Sequence, residues 1–107
     1  MRFLAIGEPT SEYTRETANG LMDAEIAVAQ QMYAEHVMRE GYLDESSTRA
    51  VLILDAADRA EAEAQLARYP MVRAELIVSS VTALTGLPAV LPAGPPAPRD
   101  AWWPLPT

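Results

Sequence analysis

Six side chains in this sequence are equipped for proton transfer or for binding a developing negative charge: Glu25, His36, Arg39, Tyr33, Tyr42 and Tyr13. Proton transfer at a carbon beside a carbonyl needs a base for the carbon-bound proton, a means of returning that proton, and a donor to the enolate oxygen. Glu25, next to the core face of its helix, is the first candidate base, and burial would raise a carboxyl pKa towards the useful range. In a solvated position the same residue is only a carboxylate favoured by the dipole in the first half of a helix. His36 is the single histidine, and an imidazole needs no tuning to act as a base near neutrality. It suits the end of a helix equally well. Arg39 can hold a substrate carboxylate through two parallel hydrogen bonds, or pair with Glu40 or another surface acid. Tyr33, Tyr42 and the loop residue Tyr13 can donate to an oxyanion, or pack with one wet end. Asp44 and Glu45 are adjacent only in sequence, since neighbouring strand residues point to opposite faces.

Composition removes several other chemistries. The chain has 107 residues, of which 50% are apolar and 21% charged, as expected for one globular domain with a modest core. Its formal net charge is −7, and its eight basic residues are all arginine. Nucleic acid and anionic membrane surfaces are therefore poor partners, and lysine Schiff-base chemistry is excluded. There is no cysteine, which excludes disulfides, thiolate nucleophiles and thiolate zinc sites. No metal-binding or nucleotide-binding spacing occurs, so the reaction expected is cofactor-free. The opening MRFLAIGEP has no signal-peptide pattern and no apolar run is long enough to span a membrane. The expected location is the cytoplasm.

The elements that must position these residues can be read from apolar periodicity and turn chemistry. RFLAIG, residues 2–7, is a strand closed by glycine and proline. EPTSEYTRETAN is polar and predicts a loop bordering a cleft. Met22, Ile26, Ala29 and Tyr33 recur at helical spacing over residues 20–35, with Asn19 as the N-cap. This helix ends either at Gly41 or at His36. We take His36, which tolerates a left-handed backbone and makes residues 37–45 the second strand. RAVLIL, residues 49–54, is the third strand. Asp58 and Glu61 resemble a capping box in front of a strong helix former, and Pro70 ends that helix. Residues 73–84 then form the last strand.

The order βαββαβ is the ferredoxin-like α+β unit, two helices on one face of a four-stranded antiparallel sheet. Strands apolar on both faces imply that the second face is also covered. The simplest cover is the sheet of a second copy, giving a homodimeric, or larger, α/β barrel.

Glu25, QQMY, VMREGYLDES, AVLILDAADRAEAEAQLARYPMVRAELI and VTAL together resemble the muconolactone-isomerase-like proteins of the dimeric α/β-barrel superfamily, with YciI-like proteins as relatives. The resemblance extends to MRFL at the start. It includes a leucine-proline-leucine-valine type joint, here Tyr69, Pro70, Met71 and Val72, which is expected to drop the last strand directly into the sheet. It implies a cofactor-free isomerase or cyclase working by proton transfer on a small lactone, enol or polyketide-like substrate. Glu25 and Arg39 match the family pattern. His36 stands where such proteins usually have glycine, and Gln30 where a helix aromatic is expected. A non-catalytic dimeric small-molecule-binding or accessory protein of the same fold is the alternative. Residues 1–85 form the expected domain. Residues 86–107 hold seven of the nine prolines and both tryptophans, and are expected to pack on the domain or on a partner subunit through Trp102 and Trp103.

Overall fold

Turn formers and caps divide the apolar runs into seven elements: β1 (Arg2–Pro9), α1 (Arg15–Ala34), β2 (Met38–Leu43), β3 (Ala50–Asp55), α2 (Arg59–Leu66), α3 (Pro70–Arg73) and β4 (Ile77–Leu84). The computed structural model describes residues 1–86. The tail with Trp102 and Trp103 lies outside the described residues. Every neighbouring strand pair is antiparallel and the order across the sheet is β2-β3-β1-β4. This is the ferredoxin-like α+β arrangement, with one added helical turn.

One face of the sheet carries the core. Phe3 lies opposite Leu54 and Ala5 opposite Leu52 in the β1–β3 register. Phe3, Leu54 and Met32 of α1 are the largest fully buried side chains. Met32, Leu54 and Ala5 pack with Leu66 at the end of α2 and with Tyr69, which precedes α3. The opposite face carries Leu4 paired with Ile53 and Ile6 paired with Val51. These are only partly buried, and Val78 on the same face is 59% exposed.

Helix α1 starts earlier than Asn19 and turns a different stripe inward. Thr14 is its N-cap: the Thr14 side chain accepts the Thr17 amide, and the Thr17 hydroxyl accepts the Thr14 amide. That reciprocal cap recruits residues that read as loop, so the predicted cleft-bordering loop shrinks to Thr10–Thr14. The inward stripe is Ala18, Leu21, Glu25, Val28, Ala29 and Met32, while Met22, Ile26 and Tyr33 remain exposed. Of the four apolar residues taken as the core face, only Ala29 faces inward. Glu25 lies on the buried stripe instead of beside it.

His36 ends α1 with φ 63°. Its amide donates to the Tyr33 carbonyl and the Val37 amide to that of Met32, a Schellman closure. The same closure recurs after α3, where Glu75 has φ 59° and the Glu75 and Leu76 amides donate to Val72 and Met71. The joint before the last strand is therefore not a direct drop into the sheet. Helix α2 stops at Leu66, Pro70 opens α3 at the position where a missing N–H costs nothing, and β4 begins at Ile77, not Arg73. Thr10 fastens this joint by donating its amide to Leu76 O and its hydroxyl to Glu75 O. Arg59 ties α2 to β4 through the Val81 carbonyl.

A side chain held at positive φ costs roughly 1–2 kcal/mol that glycine avoids, partly offset by the greater entropy glycine loses on folding. His36→Gly and Glu75→Gly are each expected to raise the unfolding free energy in urea by about 0.5–1 kcal/mol. Destabilisation by either would contradict these cap assignments.

Candidate functional site

Small residues on the core face of the sheet leave room beneath the helices. Ala5 and Gly7 of β1, Ala50 of β3, Gly41 of β2 and Ser79 of β4 line a cavity of about 350 Å³. The crowding is already close at Gly7, where a Cβ would sit 3.1 Å from the Ile77 side chain. Glu25 and Ala29 of α1, Leu66 of α2 and Val72 of α3 form much of the remaining wall, joined by Tyr69.

Glu25 is held in this wall by a hydrogen bond that its own helix could not supply. Pro70 and Met71 are the first residues of α3, and the Met71 amide has no acceptor within so short a helix. It donates to Glu25 Oε1 at 3.0 Å. Burial pushes the Glu25 carboxyl above its ordinary value, and the Met71 amide opposes that shift in part.

Tyr69 is the polar side chain of this wall that the sequence did not single out. It is buried, and its hydroxyl lies 3.8 Å from Met38 Sδ. Burial first, and the nearby Glu25 charge second, push its pKa up to about 12, with Arg68 opposing. It therefore remains a protonated donor at neutral pH. The available signal was its place immediately before Pro70, which forces extended backbone there (φ −69°, ψ 126°) and turns the residue out of the α2 helical track. In the sequence it read only as part of a joint.

The other candidates separate. Tyr42 borders the same cavity, but its hydroxyl donates to Glu40 Oε1 at 2.5 Å. Tyr33, His36 and Arg39 instead line a depression of about 260 Å³ that shares Met38 with the main cavity. Arg39 is the extra residue of a β-bulge, between Met38 opposite Leu54 and Glu40 opposite Ile53. The bulge re-aims its side chain, and its guanidinium lies 3.7 Å from Asp55. Tyr13 precedes α1 and lines neither depression. Among the described residues no cluster of three or more His, Asp or Glu could hold a metal, and no helix is long and apolar enough to cross a membrane.

No protein-family model matches the sequence, and no curated protein matches it. Solved structures do match. Muconolactone isomerase superposes with a TM-score of 0.71 at 16% identity, over 88% of this chain and 98% of that one. The chain has the muconolactone isomerase-like fold. A second structure with this fold is 5-chloro-2-hydroxyhydroquinone dehydrochlorinase (TftG) from Burkholderia phenoliruptrix AC1100, in complex with 2,5-dihydroxybenzoquinone. It gives a TM-score of 0.65 at 18% identity, over 79% of this chain and 94% of that one. At these identities the likeness is one of fold. On this muconolactone isomerase-like frame, Glu25 and Tyr69 are the polar groups that the helix layer brings to the cavity wall.

The raised Glu25 pKa has a definite sign in stability. The carboxyl is easier to protonate folded than unfolded, so its contribution is fully present below its ordinary value of 4.5 and is lost as pH rises through the raised folded value. Glu25→Gln keeps an acceptor oxygen for the Met71 amide and cannot ionise. Its melting temperature is expected to gain on that of the wild type as pH rises from about 4 to about 7. A difference that stays constant across that range would contradict the assigned burial.

Proposed function

We propose that the protein is a cofactor-free isomerase or cyclase that moves a proton on a small lactone, enol or polyketide-like substrate bound in the main cavity. The observation that carries this reading is the half-buried Glu25 carboxylate, oriented by the Met71 amide at the wall of an apolar cavity that also holds the Tyr69 hydroxyl. In the forward step Glu25 takes a proton from the carbon beside the substrate carbonyl. The C–H electron pair becomes the enolate double bond, and the carbonyl oxygen gains the negative charge. Tyr69 donates to that oxygen. The Glu25 carboxylic acid then returns the proton at the far carbon of the conjugated system, which relocates the double bond and restores the carboxylate.

The fold neighbours support this class of chemistry, one being an isomerase and the other a dehydrochlorinase held with a ring-sized quinone. His36 and Arg39 have no part in the step, because they line the other depression.

The test is deuterium uptake from heavy water into an unsaturated five-membered lactone, followed by NMR. Wild-type protein is expected to catalyse it, Glu25→Gln to lose about 10²–10⁴-fold, and Tyr69→Phe about 10-fold or more. If Glu25→Gln keeps the wild-type rate, Glu25 is a structural cap of α3 and the base assignment is wrong.

A second copy is proposed to cover the open sheet face. Leu4, Ile6, Val51 and Ile53 form a contiguous apolar patch across two paired strands, continued by Val78. Water on such a face is unfavourable by roughly 25 cal/mol per Å² of apolar area. Sedimentation is expected to give a dimer or larger assembly at micromolar concentration, and Ile53→Asp to dissociate it. A species of only 11.6 kDa in the wild type would remove the barrel.

A further inference from the structure

The charge arrangement around the main cavity selects among possible substrates. Glu25 is the one carboxylate in its described lining, and no arginine or histidine accompanies it there. The described cations that the structure pairs are committed elsewhere: Arg2 and Arg39 lie on Asp55, Arg49 on Glu8 and Asp44, and Arg68 on Glu35. His36 belongs to the neighbouring depression with Arg39. The rest of the cavity is formed by apolar side chains such as Ala29, Leu52, Leu66, Val72 and Ile77, with hydroxyls of Tyr69, Tyr42 and Ser79 as its neutral polar groups.

Such a lining can hydrogen-bond a carbonyl or hydroxyl group. It cannot neutralise an anion. A ligand carboxylate entering it would lose its hydration, meet no counter-ion among the described residues and lie close to a like charge. The proteinwide net charge of −7 opposes the same ligand at longer range.

Building on the proton-transfer reading, we infer that the cavity accepts uncharged carbonyl compounds of one or two rings and rejects their carboxylate-bearing analogues, with Glu25 as the residue that enforces the rejection. The volume of about 350 Å³ suits a ligand of that size. Glu25 then has two duties that coincide: it takes the substrate proton, and its charge excludes substrates that arrive as anions. Arg39, which by type could have bound a substrate carboxylate, is kept from that role by the bulge that turns it to Asp55.

The experiment is calorimetric titration of the full chain with coumarin, a neutral two-ring lactone, and with coumarin-3-carboxylate, at about pH 8 and low salt so that charge is not screened. Coumarin is expected to bind, and the carboxylate to bind about tenfold more weakly or worse. Glu25→Gln should narrow that gap by improving the carboxylate by a larger factor than coumarin. Ala50→Leu, which fills the cavity floor, should abolish coumarin binding. If the carboxylate binds wild-type protein as tightly as coumarin and Ala50→Leu abolishes both, the cavity reading stands and the charge selection is overturned. If the gap survives Glu25→Gln, Glu25 is not its source and the inference fails. If coumarin does not bind, or binds Ala50→Leu as well as wild type, the cavity is not the ligand site, and both the proposed function and this inference fall.

Discussion

The hydrogen bond from the Met71 amide to Glu25 Oε1 is the contact on which the site depends. It joins the middle of α1 to the first turn of α3, elements far apart in sequence, and it closes the helix layer over the sheet. Each partner needs the other. Pro70 can open a helical turn only by leaving the next amide without an intrahelical acceptor, and a carboxylate can face the core only if a donor meets it there. One bond answers both requirements. It also fixes the direction in which the carboxylate presents its second oxygen, which is what a base needs before its pKa matters.

The cavity beside this bond exists because the sheet beneath it is built from small residues. Leucine at Ala50, which is only partly buried, would fill the space with ordinary core packing. The main-chain devices around the cavity have the same character. Two Schellman closures with His36 and Glu75 at positive φ, and a bulge at Arg39, set the directions in which the chain leaves α1, leaves α3 and enters β2. They separate the acid–base residues into two groups, so the basic side chains that look catalytic in the sequence stand apart from Glu25.

Much of this architecture was legible in the residues. The apolar runs at 2–7 and 49–54, the cap at Asp58 and the left-handed residue at His36 fix four strands and two helices in order, and the structure agrees. What escaped was mostly local competition. The Thr14–Thr17 cap outweighed the turn-forming look of the segment around it and lengthened α1. Periodicity weighted by hydrophobicity gives α1 the wrong phase, because it follows Met22, Ile26 and Tyr33 and passes over Ala18 and Glu25. A glutamate on the buried stripe reads as polar until the distant amide that receives it is known. The short helix after Pro70 was hidden for the same reason: proline marks a helix start as readily as a helix end, and Tyr69 was counted as part of a joint when its ring lies in the core.

One half-buried carboxylate is oriented by one backbone amide and raised in pKa by its burial, which that amide offsets in part. NMR titration of the Glu25 side-chain carboxyl carbon together with the Met71 amide tests this coupling most directly. Glu25 is expected to titrate above the ordinary value of 4.5, and the Met71 amide proton to move with the same midpoint as its acceptor gains or loses charge. A Glu25 that titrates at its ordinary value, with a Met71 amide indifferent to pH, would contradict it.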